Sequence, residues 1–258
     1  MIALSPQWTW AFLLILIRTS GLLVSAPLLA HKGIPAFTKV GFAIFFALVL
    51  VPVQQDNLPA APEQLGDVAG AVLREALFGL ALGLAMNLVF LGLQMGSRIV
   101  GVQMGFGLGG IFDPVTGTDS GVFDQFYTLL VTLVFFTING HFLVITALAE
   151  TVRAVPLGTF DPFTTLTPAE IAGLGAGLTV TAVRIAMPVM AALFLVDLGM
   201  GLVARTVPQV QILFVAMPVK IAVGMIVLIA ALPATGQILN AVIGNSLAGS
   251  SLRLLEAG

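Results

Sequence analysis

The sequence contains no cysteine, only two histidines and few charged side chains. Of its 258 residues, 10 are lysine or arginine and 12 are aspartate or glutamate, so 9% are charged, against about 25% in a typical soluble domain. Without cysteine, the chain cannot form disulfide bonds, a thiolate metal site or a cysteine nucleophile. Two histidines are too few for a histidine-rich metal site. A formal net charge of -2 gives no indication of nucleic-acid binding.

Hydrophobic residues make up 59% of the chain and occur in long runs. A run of about 20 apolar residues is long enough to cross a bilayer as an α helix. We therefore predict an all-α membrane protein with about six to seven long helices arranged as hydrophobic hairpins. The predicted segments cover residues 8–30, 37–53, 68–95, 122–149 with a kink at 139–141, 171–203, 210–232 and 238–255.

Residues 91–125 differ from the other apolar runs because they are rich in glycine. Eight glycines occur from Gly96 to Gly121, and Asp113-Pro114 interrupts the run. Glycine and proline weaken a helix, and irregular backbone within a membrane is tolerated only where protein buries it or where it lines an aqueous cavity. We therefore predict a re-entrant pore loop over residues 103–114. Its candidate site residues are Gln103, Met104, Gly105, Phe106, Gly107, Gly109, Gly110, Ile111, Phe112, Asp113 and Pro114.

Two other interpretations exist for these glycines. Gly105, Gly107 and Gly110 match the spacing of a dinucleotide-binding fingerprint, but no strand precedes them and no βαβ unit follows, so the required context is missing. Close helix packing is the second alternative. It is favoured where small residues are four apart, as in Gly79-x-x-x-Gly83 and Gly92-x-x-x-Gly96.

The remaining polar residues do not suggest catalysis. They offer no Ser/His/Asp set, no paired carboxylates and no phosphate-binding loop, and the polar loops are too short for a soluble catalytic domain. We expect a protein that is not an enzyme and that holds no metal or cofactor.

Six charged residues lie within apolar segments or at their ends. A charge at the centre of a membrane helix costs at least about 2.5–3.5 kcal/mol. Such residues are expected to pair within the chain, to pair with other subunits or to contact water. For five of the six, all but the lysine, extension of the side chain to the membrane interface is an alternative. The six are Arg18, Asp124, Arg184, Asp197, Arg205 and Lys220.

Several short motifs, taken together and in order, point to a known family. Residues 101–106 read GVQMGF, residues 112–114 read FDP and residues 136–141 read FTINGH. Arg18 near the N-terminus and residues 205–209, which read RTVPQ, agree with the same family. In these motifs the chain resembles the FliR family of flagellar biosynthesis proteins, which includes the equivalent SctT-type subunits of type III secretion injectisomes. The resemblance covers nearly the whole chain.

The resemblance implies a channel-forming core subunit of the flagellar type III protein export gate. Such a subunit would lie in the bacterial inner membrane at the flagellar basal body and assemble helically with FliP and FliQ. FlhB and FlhA would be nearby, and unfolded flagellar proteins would pass through the channel. The glycine-rich loop would be the plug that closes the pore.

The resemblance also implies an internal division of a single membrane domain. Residues 1–170 would form a part similar to FliP that includes the plug loop. Residues 171–258 would form a hairpin similar to FliQ and a C-terminal helix. The tip of that hairpin would hold Arg205, Pro208 and Gln209.

Two alternatives to the flagellar assignment remain at this point. The first is the equivalent subunit of a virulence injectisome. The second is a secondary transporter with Arg184 and Asp197 at a binding site near the membrane midplane. A transporter of that kind would be a stable monomer or symmetric dimer with inverted repeats, and the sequence shows no convincing repeat.

Overall fold

A computed structural model of the chain describes residues 5–27, 29–30, 33–106, 122–161, 167–207 and 211–256. These residues form seven α helices and a short 3-10 helix, Val51–Asn57, and no strand, which confirms the prediction of an all-α protein. The helices are α1 (Pro6–Ser25), α2 (Ala36–Leu50), α3 (Leu65–Met104), α4 (Val122–Thr137), α5 (Gly140–Ala154), α6 (Pro168–Thr206) and α7 (Ile212–Glu256).

Most of these helices are long and apolar enough to cross a membrane. Five stretches in the described part of the chain meet that condition by length and composition, and the broken pair α4–α5 adds a sixth if it is counted as one span. The five stretches are Pro6–Ser25, Ala36–Gln54, Leu65–Met104, Ala172–Thr206 and Phe214–Ala241. The expected class of membrane protein is therefore confirmed.

Helix α3 extends further than the sequence predicts. The predicted segment ends at Met95, whereas α3 continues to Met104. The two glycines in this extension are accommodated by close packing, Gly96 on α6 and Gly101 on Phe123 of α4. A Cβ atom added at Gly96 would lie 2.9 Å from the backbone oxygen of Ala182, and Gly92 lies equally close to α6. This packing offsets the low helix propensity of glycine, so irregular backbone begins only after Met104.

Helix α7 also differs from the prediction, because residues 233–236 do not end it. The predicted sixth and seventh segments form one helix, Ile212–Glu256, with Pro233 inside. A proline removes one backbone hydrogen bond from a helix. Here the hydroxyl of Thr235 donates to the backbone oxygen of Ala231 at 3.2 Å. That bond does not replace the one lost at Pro233, whose missing N–H would have reached the backbone oxygen of Ile229. Packing on neighbouring helices, as at Gly236 on Val134, is what allows the proline inside the helix.

The predicted kink at residues 139–141 is a break between two helices. Helix α4 ends at Thr137, and α5 begins at Gly140. Between them, Asn139 has a positive φ of 56°. Asparagine is one of the few residues other than glycine that adopt this left-handed conformation readily.

The helices form two compact units. The first unit contains Met1–Leu88, Asn139–Gly175 and Ala241–Gly258, and the second contains Val89–Ile138 and Ala176–Asn240. Helix α3 contributes its N-terminal part to the first unit and its C-terminal part to the second. Each unit therefore combines segments that are distant in the sequence.

In the first unit, α1 and α3 approach each other closely enough for their backbones to touch. A Cβ atom added at Gly79 would collide with the backbone oxygen of Arg18, and one added at Gly83 would collide with the hydroxyl of Ser25. The spacing Gly79-x-x-x-Gly83 is therefore a helix-packing motif, as the sequence predicts.

Replacing Gly79 by alanine is expected to destabilise the chain by about 1–3 kcal/mol, because the added methyl group forces two backbones apart. The matched control is Gly70→Ala in the same helix, where an added Cβ meets nothing within 4 Å. That change is expected to stabilise α3 by up to about 1 kcal/mol through helix propensity. Unfolding temperatures of the purified variants in detergent measure both effects. Equal unfolding temperatures for the two variants would contradict the proposed contact.

Candidate functional site

The predicted pore loop begins where α3 ends. Gln103 and Met104 are the last two helical residues, and Gly105 has a positive φ of 95°. Glycine adopts that conformation without steric cost, so the chain leaves the helix at this position. Of the predicted loop residues, Gly107, Gly109, Gly110, Ile111, Phe112, Asp113 and Pro114 lie outside the part of the chain that the structure describes.

Met104, Gly105 and Phe106, here called the loop root, are held by the second unit. The side chain of Met104 is completely buried. A Cβ atom added at Gly224 of α7 would lie 2.8 to 2.9 Å from three of its atoms. About two turns earlier in α7, Met217 lies beside Gly105. Met104 therefore occupies a notch in α7 that exists because residue 224 has no side chain.

Phe106 packs against the first turns of α4. Its ring stacks on that of Phe123 with a centroid distance of 5.5 Å, and Phe123 in turn lies 6.3 Å from Tyr127. Phe123 is almost completely buried, whereas Phe106 remains 37% exposed. The root of the loop is thus fixed on both sides, by α7 at Met104 and by α4 at Phe106.

Arg18 lies at the centre of a buried polar cluster in the first unit. Its Nε lies 2.6 Å from Oε2 of Glu75, and its Nη2 donates to Oε1 of Glu75 at 3.0 Å. Both side chains are completely buried. The guanidinium also lies 4.5 Å above the ring of Phe78. This two-bond geometry is the strongest form of an arginine–carboxylate pair.

The same cluster fixes the end of α5 and the loop after it. Nη1 of Arg18 donates to the backbone oxygen of Thr151 at 2.9 Å, and Nη2 donates to that of Val155 at 3.4 Å. From the other side, the backbone N–H of Gly158 donates to Oε1 of Glu75 at 2.7 Å. The pair therefore joins α1, α3 and α5 and satisfies carbonyl groups at a helix end.

Two further ion pairs lie in the second unit. Nζ of Lys220 in α7 lies 2.5 Å from Oδ1 of Asp197 in α6, and both side chains are partly exposed. Nε of Arg98 in α3 lies 3.9 Å from Oδ2 of Asp124 in α4. The hydroxyl of Ser97 donates to Oδ1 of Asp124 at 3.2 Å. These contacts join α6 to α7 and α3 to α4.

The structure thus brings four of the six predicted charges into ion pairs and leaves two at the surface. Arg205 is exposed in the last turn of α6, where a cation interacts favourably with the helix C-terminus. Arg184 is also exposed, and it lies in the middle part of the same helix, away from both ends. The other predicted tip residues, Pro208 and Gln209, lie outside the described residues.

Two residues of these clusters, Glu75 and Arg98, are not among the predicted site residues. Glu75 is the buried partner of Arg18, and Arg98 faces Asp124. Both lie in a helix of 40 residues that is otherwise mainly apolar. Their charge within such a helix is the signal that identifies them as candidates.

Comparison with known proteins decides the family. The profile of a family described as "Bacterial export proteins, family 1" matches residues 9–246. The flagellar biosynthetic protein FliR of Bacillus subtilis (strain 168) is 34% identical over 223 residues, which is 85% of each chain. The chain belongs to the FliR family. The resemblance inferred from the short motifs is therefore confirmed.

Other FliR proteins match over similar lengths. The flagellar biosynthetic protein FliR of Pectobacterium carotovorum subsp. carotovorum is 28% identical over 229 residues, 88% of this chain and 84% of its own. FliR of Escherichia coli (strain K12) is 27% identical over 234 residues, 89% of this chain and 88% of its own. The residues that match the family profile, 9–246, include the loop root, the glycine-rich stretch and the three ion pairs described above.

Proposed function

We propose that the chain is a channel-forming core subunit of the flagellar type III protein export gate. Residues 103–114 would close the pore as a plug, and unfolded flagellar proteins would cross the inner membrane once the plug moves. The relatives are named as flagellar biosynthetic proteins, and their family is described as bacterial export proteins. These names support a component of the flagellar export apparatus with a role in transport rather than catalysis.

In this proposal the chain acts within an assembly at the flagellar basal body. Its neighbours in the gate would be FliP and FliQ, with FlhB and FlhA close by. Residues 1–170 would act as the part similar to FliP, and residues 171–258 as the hairpin similar to FliQ with its C-terminal helix. Many large apolar side chains are exposed on the chain, and such surfaces fit contact with lipid and with other apolar subunits.

The observation that carries the plug proposal is the fixed loop root. A plug must return to one position to seal a pore, so its end has to be attached to rigid elements. Met104 fits the notch at Gly224, and Phe106 stacks on Phe123. Between this root and the start of α4 at Val122 lie 15 residues, which is enough chain to form a loop across a narrow opening.

The two alternative functions are less well supported. All three relatives described above are named as flagellar proteins, which favours the flagellar apparatus over an injectisome. A transporter site built on Arg184 and Asp197 requires the two side chains to act together. Asp197 instead pairs with Lys220, and Arg184 lies on the exposed surface of α6.

Replacing Gly224 by leucine is expected to open the gate partially, because the new side chain takes the space of Met104 and displaces the loop root. In cells that express the complete gate, ion or small-dye uptake should rise severalfold over the native protein. Gly41→Leu is the control, because an added Cβ at Gly41 meets nothing within 4 Å.

The second variant, Gly224→Leu with Met104→Ala, separates a displaced plug from a misfolded chain. Alanine at position 104 leaves the space that the leucine needs. In the double variant, uptake of ions or small dyes is therefore expected to fall back close to that of the native protein. If the single variant assembles normally and its membranes stay tight, the loop root does not position a plug.

A further inference from the structure

A small cavity lies in the core of the second unit, among the helices that hold the loop root. Its volume is about 10 Å³, which is close to the smallest space that holds one water molecule. The residues around it come from α3, α4, α6 and α7, and all of them belong to the second unit.

The lining of this cavity is apolar except for three hydroxyl groups. These belong to Ser97 of α3, Tyr127 of α4 and Thr235 of α7. Their side chains are buried, with exposed fractions of 1%, 3% and 5%. None of the described residues around the cavity carries a charge. The lining therefore does not suit a divalent cation, which prefers carboxylate ligands, but it suits a small neutral molecule that forms hydrogen bonds.

The hydroxyl of Tyr127 is buried without a hydrogen-bond partner among the residues that the structure describes. Thr235 lies near it, but the two side chains do not reach the geometry of a direct hydrogen bond. A buried polar group that lacks a partner destabilises a fold. Two polar groups that are close but not bonded are the usual setting for a bridging water molecule.

The protons of the other two hydroxyl groups are already used. Ser97 donates to Oδ1 of Asp124 at 3.2 Å or to its own helix, and Thr235 donates to the backbone oxygen of Ala231 at 3.2 Å. A hydroxyl group has one proton to donate, and its oxygen can also accept. Ser97 and Thr235 can therefore only accept a further hydrogen bond, whereas Tyr127 still has a proton to donate.

We propose that one ordered water molecule is bound in this cavity and joins the three hydroxyl groups. It accepts a hydrogen bond from Tyr127 and donates one to Ser97 and one to Thr235. Three hydrogen bonds are typical of a buried water molecule. With this arrangement, both protons of the water find an acceptor, and the hydroxyl of Tyr127 gains the acceptor that the protein does not supply.

The water site connects the helices that hold the loop root. Phe123, on whose ring Phe106 stacks, lies about one turn before Tyr127 in α4. Val100, which also lines the cavity, lies about one turn before Met104 in α3. The bound water thus fixes α3 and α4 to α7 next to the loop root. This inference depends on the packing of the second unit and not on the plug, so tight membranes in the leak assay leave it standing.

A cryo-electron microscopy map of the chain in its native membrane complex tests the site directly. One density peak is expected in the cavity, about 2.5–3.0 Å from the hydroxyl oxygens of Ser97, Tyr127 and Thr235. An empty cavity in a map that shows other buried water molecules would overturn the proposal. A direct hydrogen bond between Tyr127 and Thr235 in that map would overturn it as well.

The variant Tyr127→Phe tests the energetic role of the water by the sign of its effect. Removing a hydroxyl that binds a water molecule loses a hydrogen bond, whereas removing an unsatisfied hydroxyl loses nothing. We expect the unfolding temperature of the detergent-solubilised chain to fall by about 2–4 °C. An unchanged or higher unfolding temperature would contradict the proposal.

A double variant separates the water from a direct bond between Tyr127 and Thr235. Because the water is shared, Tyr127→Phe is expected to lower the unfolding temperature by about half as much in a Ser97→Ala chain as in the native chain. The control is Ser20→Ala, since the hydroxyl of Ser20 donates only within α1, to Leu16. Its effect should add to that of Tyr127→Phe. Full additivity with Ser97→Ala would show that no water is shared.

Discussion

Replacing Arg18 by methionine is expected to destabilise the folded chain by about 3–5 kcal/mol, because it leaves the charge of Glu75 buried without a partner. This loss should exceed the net contribution of the pair to stability. That contribution is small, because the attraction between two buried charges is largely offset by the cost of removing them from water. The carbonyl groups of Thr151 and Val155 also lose their donor. Protease resistance and unfolding temperature of the detergent-solubilised chain measure the effect.

The double variant Arg18→Met with Glu75→Gln distinguishes an unpaired charge from a general packing defect. Glutamine is neutral and keeps an oxygen that accepts the N–H of Gly158. We expect the double variant to recover more than half of the lost stability. Arg153→Met, at an exposed arginine of α5, should change stability by less than about 0.5 kcal/mol. If the single and double variants are equally unstable, charge pairing is not what stabilises this cluster.

The Arg18 cluster shows which part of such a site can be predicted from sequence. An arginine within an apolar run indicates a buried or interfacial partner, because the cost of an unpaired charge in the membrane is general. The identity of the partner is not general. Glu75 lies 57 positions away, and its pairing depends on the close approach of α1 and α3 at Gly79, which is a property of tertiary packing.

The effect of a glycine on a helix could not be predicted from sequence, because glycines in and directly after α3 have opposite effects. At Gly92 and Gly96 the missing side chain lets α6 approach, and the helix continues. At Gly105 the missing side chain permits a positive φ, and the helix ends. Local propensity is nearly the same at all three positions. The neighbouring helix decides between the two outcomes, and a single sequence does not contain its position.

The effect of a proline on a helix also depends on the neighbouring helices and not on the sequence alone. Pro168 begins α6, where the first helical turn needs no N–H from that residue. Pro233 was expected to help end a helix, yet it lies inside α7. The packing of Gly236 on Val134 of α4 supports the helix there. Segment type was therefore predictable from hydrophobicity, whereas segment ends depended on neighbours.

Deleting residues 107–110 is expected to make the assembled gate leak far more than the Gly224→Leu variant does. The loop root, Met104 to Phe106, and the start of α4 at Val122 stay in place, while the chain between them shortens from 15 to 11 residues. Four residues span up to about 13 Å when extended, so a shortened loop no longer reaches the position that closes the pore. Uptake of ions and small dyes is expected to rise about tenfold or more.

The control for this deletion is an equally short one in the polar loop before α3, residues 59–62. It changes chain length by the same amount at a site away from the loop root, and membranes that carry it should remain tight. Both deletion variants must first be shown to assemble, by purification with the other membrane subunits. If the assembled gate lacks residues 107–110 and the membrane still holds its ion gradient, the proposal that this loop closes the pore is wrong. The FliR family assignment would stand, because it rests on residues 9–246 as a whole.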